Sequence, residues 1–158
     1  MKREINEPAP LNNVHDFHEL FDLPVRSNPV IPDQKRCELR ISLLEEELEE
    51  LKTAIEQKDL VEMADALCDL QYVLSGAILE FGMGHAFKAL FEEVQRSNMS
   101  KACSTMQEAK ETCEWYATHK NTEAFIQPKG DKFLVYRVGD KKVLKSVNYS
   151  PADLKKLL

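Results

Sequence analysis

Apolar residues recur at helical spacing along most of the chain, between short polar or proline-rich segments. The pattern predicts helices over about 14–23, 36–57, 60–81, 85–96 and 106–118. Three prolines in PVRSNPVIP predict an extended connection ahead of the first long helix. Because one turn residue, Lys58, separates the two long helices, we expect them to form an antiparallel hairpin.

The end of the chain has a different pattern. KFLVYRV and KVLKSV are β-prone and flank GDK, which predicts a small hairpin over about 130–150. The predicted fold class is therefore mainly α, an antiparallel helical bundle with a small C-terminal β-hairpin. We predict one domain, 1–158, with a loose lead over 1–12 and a helical core over about 14–101.

The glutamates of the first long helix divide into two groups on a helical wheel. At about 100° per residue, Glu47 lies about 40° from both Leu43 and Leu51, inside the apolar arc, and Glu50 lies at its edge. The outward group consists of Glu45, Glu46 and Glu49. A carboxylate that points into a helical core needs a partner, because burying it alone is costly.

The second long helix carries a matching set. Glu62, Asp65 and Asp69 share an arc of about 60° beside its apolar stripe, so they should meet Glu47 and Glu50 across the hairpin. Converging carboxylates repel one another, and a hard divalent cation relieves that repulsion. A site made of carboxylates alone favours Mg²⁺, with Mn²⁺ as a substitute. A protonated or solvent-filled structural cluster is the alternative.

The composition of the chain argues against several classes of function. The formal net charge of −6 argues against a partner such as DNA or RNA, and no stretch is apolar enough to cross a membrane. The four cysteines lack CxxC spacing, and the start has no signal-peptide core, which predicts reduced thiols in a cytoplasmic protein. His15 and His18 are interpreted as partly exposed helix residues and not as a metal pair.

Carboxylate-held magnesium usually serves phosphate chemistry, which also needs cationic and amide groups. The polar segment RSNMSK, predicted to follow the third core helix as a loop, supplies Asn98 and Lys101. Trp115 and Tyr116 could stack on a base, but the pattern favours a core position for both. Lys145 in the tail is a weaker candidate for a phosphate contact.

The two acidic helices resemble the MazG-like, all-α nucleoside triphosphate pyrophosphohydrolase superfamily, which includes the phosphoribosyl-ATP pyrophosphohydrolases. The segments that carry the resemblance are EEELEELKTAI and the following DLVEMADALCDLQYVLSGAILEFG. The superfamily's Glu-x-x-Glu and Glu-x-x-Asp motifs correspond to Glu47/Glu50 and Glu62/Asp65. A frame one residue earlier, Glu46/Glu49, matches by letters but points outward. FEEVQRSNMSK and GDKKVLKSVNYSPADL extend the resemblance over about 14–158.

The resemblance implies hydrolysis of a nucleoside or deoxynucleoside triphosphate to the monophosphate and pyrophosphate. It also implies that Glu47, Glu50, Glu62 and Asp65 hold Mg²⁺, that Asn98 and Lys101 bind the nucleotide or its phosphates, and that the chain forms a homodimer or a dimer of dimers. Asp69 is either a further ligand or a group that supports one. Glu47 or Glu50 is the predicted catalytic group that activates water.

Two alternatives stay open beside this interpretation. One is a non-catalytic acidic helical interaction module, and the other is a regulatory relative that binds nucleotide without cleaving it. The hairpin of the tail is predicted to cover the active site or to contact a second subunit.

Overall fold

The computed structural model describes residues 5–158 and is mainly helical, with one antiparallel sheet of two strands, as the sequence predicts. Its elements are α1 (Pro10–Leu20), α2 (Gln34–Gln57), α3 (Leu60–Glu80), α4 (Phe87–Met99), α5 (Met106–Lys120), β1 (Ala124–Lys129) and β2 (Lys132–Arg137). The first four residues of the predicted lead lie outside the described residues. None of the helices within 5–158 has the length and apolar character to span a membrane.

The chain divides into two compact units. The amino-terminal unit comprises the described residues up to Phe87 together with Leu158, and the carboxy-terminal unit comprises Lys88–Leu157. Each is described by itself below. The single-domain organisation stays a prediction, because a compact unit can be part of a larger domain.

In the amino-terminal unit, α2 and α3 pack against each other as the predicted hairpin. The helix α2 ends at Gln57, and the next residue, Lys58, has a left-handed φ of 57° that reverses the chain. Asp59 caps α3, and its carboxylate accepts hydrogen bonds from the backbone N–H groups of Val61 (2.9 Å) and Glu62 (3.2 Å). The two-residue connection therefore fixes how the acidic faces of the two helices meet.

The helices α1 and α4 differ most from their predicted bounds. The helix α1 begins at Pro10 and not at Val14, because proline suits the first turn, where its missing N–H is not needed. The helix α4 runs to Met99, so Asn98 lies in a helical turn and not in the predicted loop.

Gly82 ends the α3 region with a left-handed φ of 72°. A Cβ atom at this position would lie 1.9 Å from the backbone oxygen of Asn28 in the proline-rich connection. The connection is anchored here, since the N–H of Val30 donates to the oxygen of Phe81 (3.0 Å). Only glycine satisfies both constraints, because it lacks the atom that would collide.

The core of the amino-terminal unit contains an ionic group that the hydrophobic pattern did not predict. Glu80, fully buried at the end of α3, accepts hydrogen bonds from the guanidinium groups of Arg36 and Arg40 on α2. Burial would raise the pKa of Glu80, but the hydrogen bonds and charges of the two arginines outweigh it and lower the pKa. Gly76 leaves room for the Arg40 guanidinium, whose Nη1 would lie 2.7 Å from an added Cβ.

His18 completes this group, so the prediction that it is partly exposed is wrong. The side chain is 2% exposed, and its Nδ1 lies 2.9 Å from the backbone oxygen of Pro24. Its Nε2 lies 3.4 Å from the Nη2 of Arg40 and accepts from it in the neutral tautomer. Burial, with a smaller contribution from the charge of Arg40, lowers the pKa of His18 and favours this neutral form.

In the carboxy-terminal unit, α5 packs on the two strands around a hydrophobic core. Its buried members are Cys103, Ala109, Val135 and Leu144. The predicted strand pairing of the hairpin, KFLVYRV with KVLKSV, is wrong. The strand β2 pairs with the preceding β1, through a turn that contains Gly130 at a φ of 61°, and 142–147 forms no strand. Of that segment, Val143 makes one isolated bridge to Tyr136. All four cysteines are free thiols.

Candidate active site

Glu47 of α2 faces the acidic side of α3, as the helical wheel predicts. The side chain is half-buried. Desolvation raises the pKa of the Glu47 carboxyl, and the negative charges of Asp69, Glu50, Glu46 and Asp65 raise it further. Carboxylates from both helices therefore act electrostatically on one position in the hairpin.

The acidic residues differ in their access to solvent. Asp69 is half-buried like Glu47, whereas Glu50, Glu62 and Asp65 are exposed. Within residues 5–158, no three of these five bring carboxylate oxygens within 4.8 Å of one another. Glu47 and Asp69 are therefore the more buried members of this acidic group, and the five residues do not form one tight cluster.

An open cavity of about 450 Å³ lies beside this face. Glu50 and Glu62 line it, and so do Glu46 and Glu49, which belong to the outward frame of the motif. Glu47, Asp65 and Asp69 are not part of its lining. On the exposed side, Lys52 donates to the carboxylate of Glu49 at 2.8 Å. The cavity is therefore bordered by both residues of the outward frame and, from the inner frame, by Glu50.

The donor set fits a hard divalent cation. Every candidate ligand on this face is a carboxylate oxygen, and the mutual repulsion that raises the pKa of Glu47 is the interaction that a bound cation would cancel. Mg²⁺ usually keeps several waters and binds through one or two carboxylates. A group in which no three carboxylates approach one another within 4.8 Å is compatible with such a partly hydrated ion.

Asn98 and Lys101, the predicted nucleotide-binding residues, belong to the carboxy-terminal unit. The structure brings these two together, since the Nζ of Lys101 donates to the Oδ1 of Asn98 at 2.7 Å. The amide orients the ammonium group without neutralising it. Their contact with a nucleotide stays a prediction.

A second group with metal-ligating chemistry lies on α1. In the described part of the chain, one set of three candidate ligands brings its ligand atoms within 4.8 Å of one another. Its members are His15, Asp16 and Glu19. The helix leaves them on its surface, where Asp16 and Glu19 are exposed, and His15 lies 4.0 Å from Glu19. His18 does not join them, because it is turned into the core.

Sequence reasoning missed the roles of Arg36, Arg40 and Glu80. One signal was available: Glu80 interrupts the apolar run AILEF, and the two arginines are spaced i, i+4 on the facing helix. The group holds the base of the hairpin together and does not border the acidic cavity.

Comparison with known proteins places these observations in a family context. Residues 14–98, more than half of the chain, match the family model described as phosphoribosyl-ATP pyrophosphohydrolase. The match spans both acidic helices, all five carboxylates and Asn98, and it ends before Lys101. A search of curated proteins found no match.

Proposed function

The chain belongs to the phosphoribosyl-ATP pyrophosphohydrolase family and is thus a hydrolase of pyrophosphate bonds, and we propose that its substrate is a nucleoside or deoxynucleoside triphosphate, cleaved to the monophosphate and pyrophosphate. One observation carries the proposal. The α2–α3 hairpin sets Glu47 and Glu50 against Asp65 and Asp69, closely enough that their charges raise the pKa of Glu47.

We assign Glu47, Glu50, Glu62 and Asp65 to the binding of Mg²⁺, with Asp69 behind them. When bound, a divalent cation neutralises charge on phosphate oxygens and lowers the pKa of water. Glu47 is half-buried, so packing restricts its carboxylate, and we assign to it or to Glu50 the orientation and deprotonation of the attacking water. The bond that breaks is the anhydride between the α and β phosphates.

The test is a screen of the purified protein against the ribo- and deoxynucleoside triphosphates, with Mg²⁺ and with EDTA. We expect equal amounts of monophosphate and pyrophosphate from the preferred substrate, and no turnover in EDTA. Monophosphate, diphosphate, pyrophosphate and free phosphate are scored separately by ion-exchange chromatography. Release of diphosphate and free phosphate would contradict the assigned bond cleavage, and full activity in EDTA would contradict the metal assignment.

We also propose that the chain acts as a homodimer whose bundle is completed between subunits. The α2–α3 hairpin leaves large apolar side chains uncovered, and these are Ile41, Leu48, Ile55, Leu60, Val61 and Leu67, each at least 45% exposed. A second copy is an occupant that would bury such a face, since isolated monomers rarely expose contiguous apolar patches of this kind.

Sedimentation equilibrium tests the dimer directly. The native protein is expected to sediment at twice its chain mass of 18.1 kDa, and Ile55→Glu is expected to shift it to the monomer because it places a charge in the apolar contact. Glu56→Gln, at the neighbouring exposed position, is the matched control and should leave the dimer intact. A monomer at micromolar concentration for the native chain would refute the proposal.

A further inference from the structure

Residues 143–147 of the carboxy-terminal unit form an extended segment with alternating exposure. Leu144 and Ser146 are buried, whereas Val143, Lys145 and Val147 are exposed. Backbone hydrogen bonds anchor the buried side, because the N–H of Leu144 donates to Val135 (2.8 Å) and that of Ser146 donates to Lys101 (3.2 Å). The segment therefore holds Lys145 at a defined place on the surface.

Two tyrosines position Lys145 further. Its backbone N–H donates to the phenol oxygen of Tyr116 (3.2 Å), and its Nζ lies 4.3 Å from the ring centroid of Tyr149. The phenol of Tyr149 lies 3.0 Å from the Oγ of Ser97. This hydrogen bond, with smaller contributions from the charges of Lys145 and Lys101, lowers the pKa of Tyr149, so both ammonium groups act at this ring.

A cleft of about 380 Å³ opens beside these residues, and its lining is Trp115, Tyr116, Lys145, Ser146, Val147 and Tyr149. A second cavity shares Tyr116 and Lys145 with it and adds Lys101, Arg137 and Lys142. The two cavities adjoin at Tyr116 and Lys145 and are together called the recess below; the first adds the rings of Trp115 and Tyr149, and the second adds three cationic side chains.

Positive charge in this recess is largely uncompensated. Lys101, Lys142 and Lys145 form no ion pair within the part of the chain that the structure describes, whereas Arg137 is paired with Asp140 at 2.8 Å. The sequence of residues 88–157 holds 13 Lys and Arg against 9 Asp and Glu, and the rest of the chain holds 8 against 18. The carboxy-terminal unit therefore attracts anions, although the whole chain is acidic.

Trp115 adds a surface for a planar ring. The indole is 40% exposed, which contradicts its expected core position, and it stacks on His119 with ring centroids 5.0 Å apart. Base stacking on an exposed aromatic side chain combined with phosphate binding by lysines is a common way to hold a nucleotide. A recess of this size suits one nucleotide better than a polymer.

We propose that this recess binds a nucleoside phosphate, with the base against Trp115 and the phosphates at Lys142 and Lys145. The site lies wholly within residues 88–157 and uses none of the carboxylates of α2 and α3. It shares Lys101 with the predicted nucleotide contacts of the proposed reaction, but nucleotide binding here is measured without metal and without turnover.

The experiment uses the fact that Trp115 is the sole tryptophan of the sequence. The full-length protein is titrated in EDTA with ATP, GTP, CTP and UTP, and tryptophan emission is recorded. We expect saturable quenching by at least one of them. Lys142→Ala with Lys145→Ala should weaken that binding by at least about tenfold, because charged hydrogen bonds to phosphate are lost.

Matched controls separate the site from general charge attraction. Lys110→Ala with Lys129→Ala removes the same charge from exposed positions outside the recess and should leave the affinity unchanged. In calorimetry, Trp115→Leu should weaken nucleotide binding while inorganic pyrophosphate binds as before. Circular dichroism checks that each variant is folded.

Two results would overturn the proposal: no saturable quenching by any of the four nucleotides at millimolar concentration, or equal weakening by both lysine pairs. Because EDTA removes metal-dependent binding at the carboxylates, a negative result here leaves the hydrolysis test in Mg²⁺ unaffected. Likewise, an inactive enzyme that still shows saturable quenching would contradict only the proposed reaction.

Discussion

Glu47→Gln is expected to lower triphosphate hydrolysis by at least about 100-fold while the protein stays folded. Glutamine has nearly the same shape, but its amide carries no charge for a cation and cannot take a proton from water. Glu47 is the acidic residue whose pKa is raised by its surroundings and by Asp69, Glu50, Glu46 and Asp65, so its charge contributes repulsion to the metal-free protein. The measurement is the rate of pyrophosphate release at saturating Mg²⁺.

Thermal unfolding in EDTA distinguishes a functional loss from a structural one. Because the ionised Glu47 is disfavoured in the fold, glutamine should leave the melting temperature unchanged or raise it. An inactive variant with a lower melting temperature would point to damage of the hairpin. Native activity in Glu47→Gln would refute the assignment of this residue.

Glu45→Gln is the matched control for this prediction. It makes the same chemical change two residues away on an exposed position of α2, outside the acidic cavity, and activity should stay within about twofold of native. Glu46→Gln and Glu49→Gln test the outward frame, since both residues line that cavity. A larger loss in those two variants than in Glu47→Gln would move the site to the outward frame.

The sequence predicts this hairpin well because its determinants are local. Helical spacing decides that Glu47 faces inward, and the short connection at Lys58 and Asp59 decides which helix it meets. The charges of Asp69 and Asp65 on α3 contribute to the raised pKa of Glu47, in agreement with this facing. The identity of the metal ligands stays a prediction, because helix geometry fixes faces and does not fix individual oxygen positions.

The predictions that the structure contradicts are those that depend on contacts between different segments of the chain. Both 124–129 and 142–147 can be extended, and only the pairing decides which becomes a strand; the tight turn at Gly130 favours the former. β1 contains Pro128, which a two-stranded sheet tolerates because both of its strands are edge strands. Helical spacing puts Glu80 at the same angle as Glu62, beside the apolar stripe, but it does not identify the arginine partners, which come from another helix.

The buried ionic group provides the second large effect. Glu80→Gln is expected to destabilise the fold by about 3 to 5 kcal/mol, because it leaves the buried Arg40 and the partly buried Arg36 without this counter-charge. Urea unfolding measures this as a lower midpoint with an unchanged slope. Glu92→Gln, which breaks the exposed pair with Lys88, is the control and should move the midpoint far less. Equal midpoint shifts in the two variants would refute the structural role of Glu80.

At acid pH, the difference in stability between the native protein and Glu80→Gln should disappear. The two arginines lower the folded-state pKa of Glu80 below its ordinary value of 4.5, so its ionised form stabilises the fold fully above about that pH. As the pH falls from there through the lowered pKa, Glu80 takes up a proton and comes to resemble the uncharged glutamine. The gap between the two urea midpoints should therefore be constant at neutral pH and narrow below about pH 4.5. A gap that stays constant down to the acid unfolding of both proteins would show that the charge of Glu80 does not stabilise the fold.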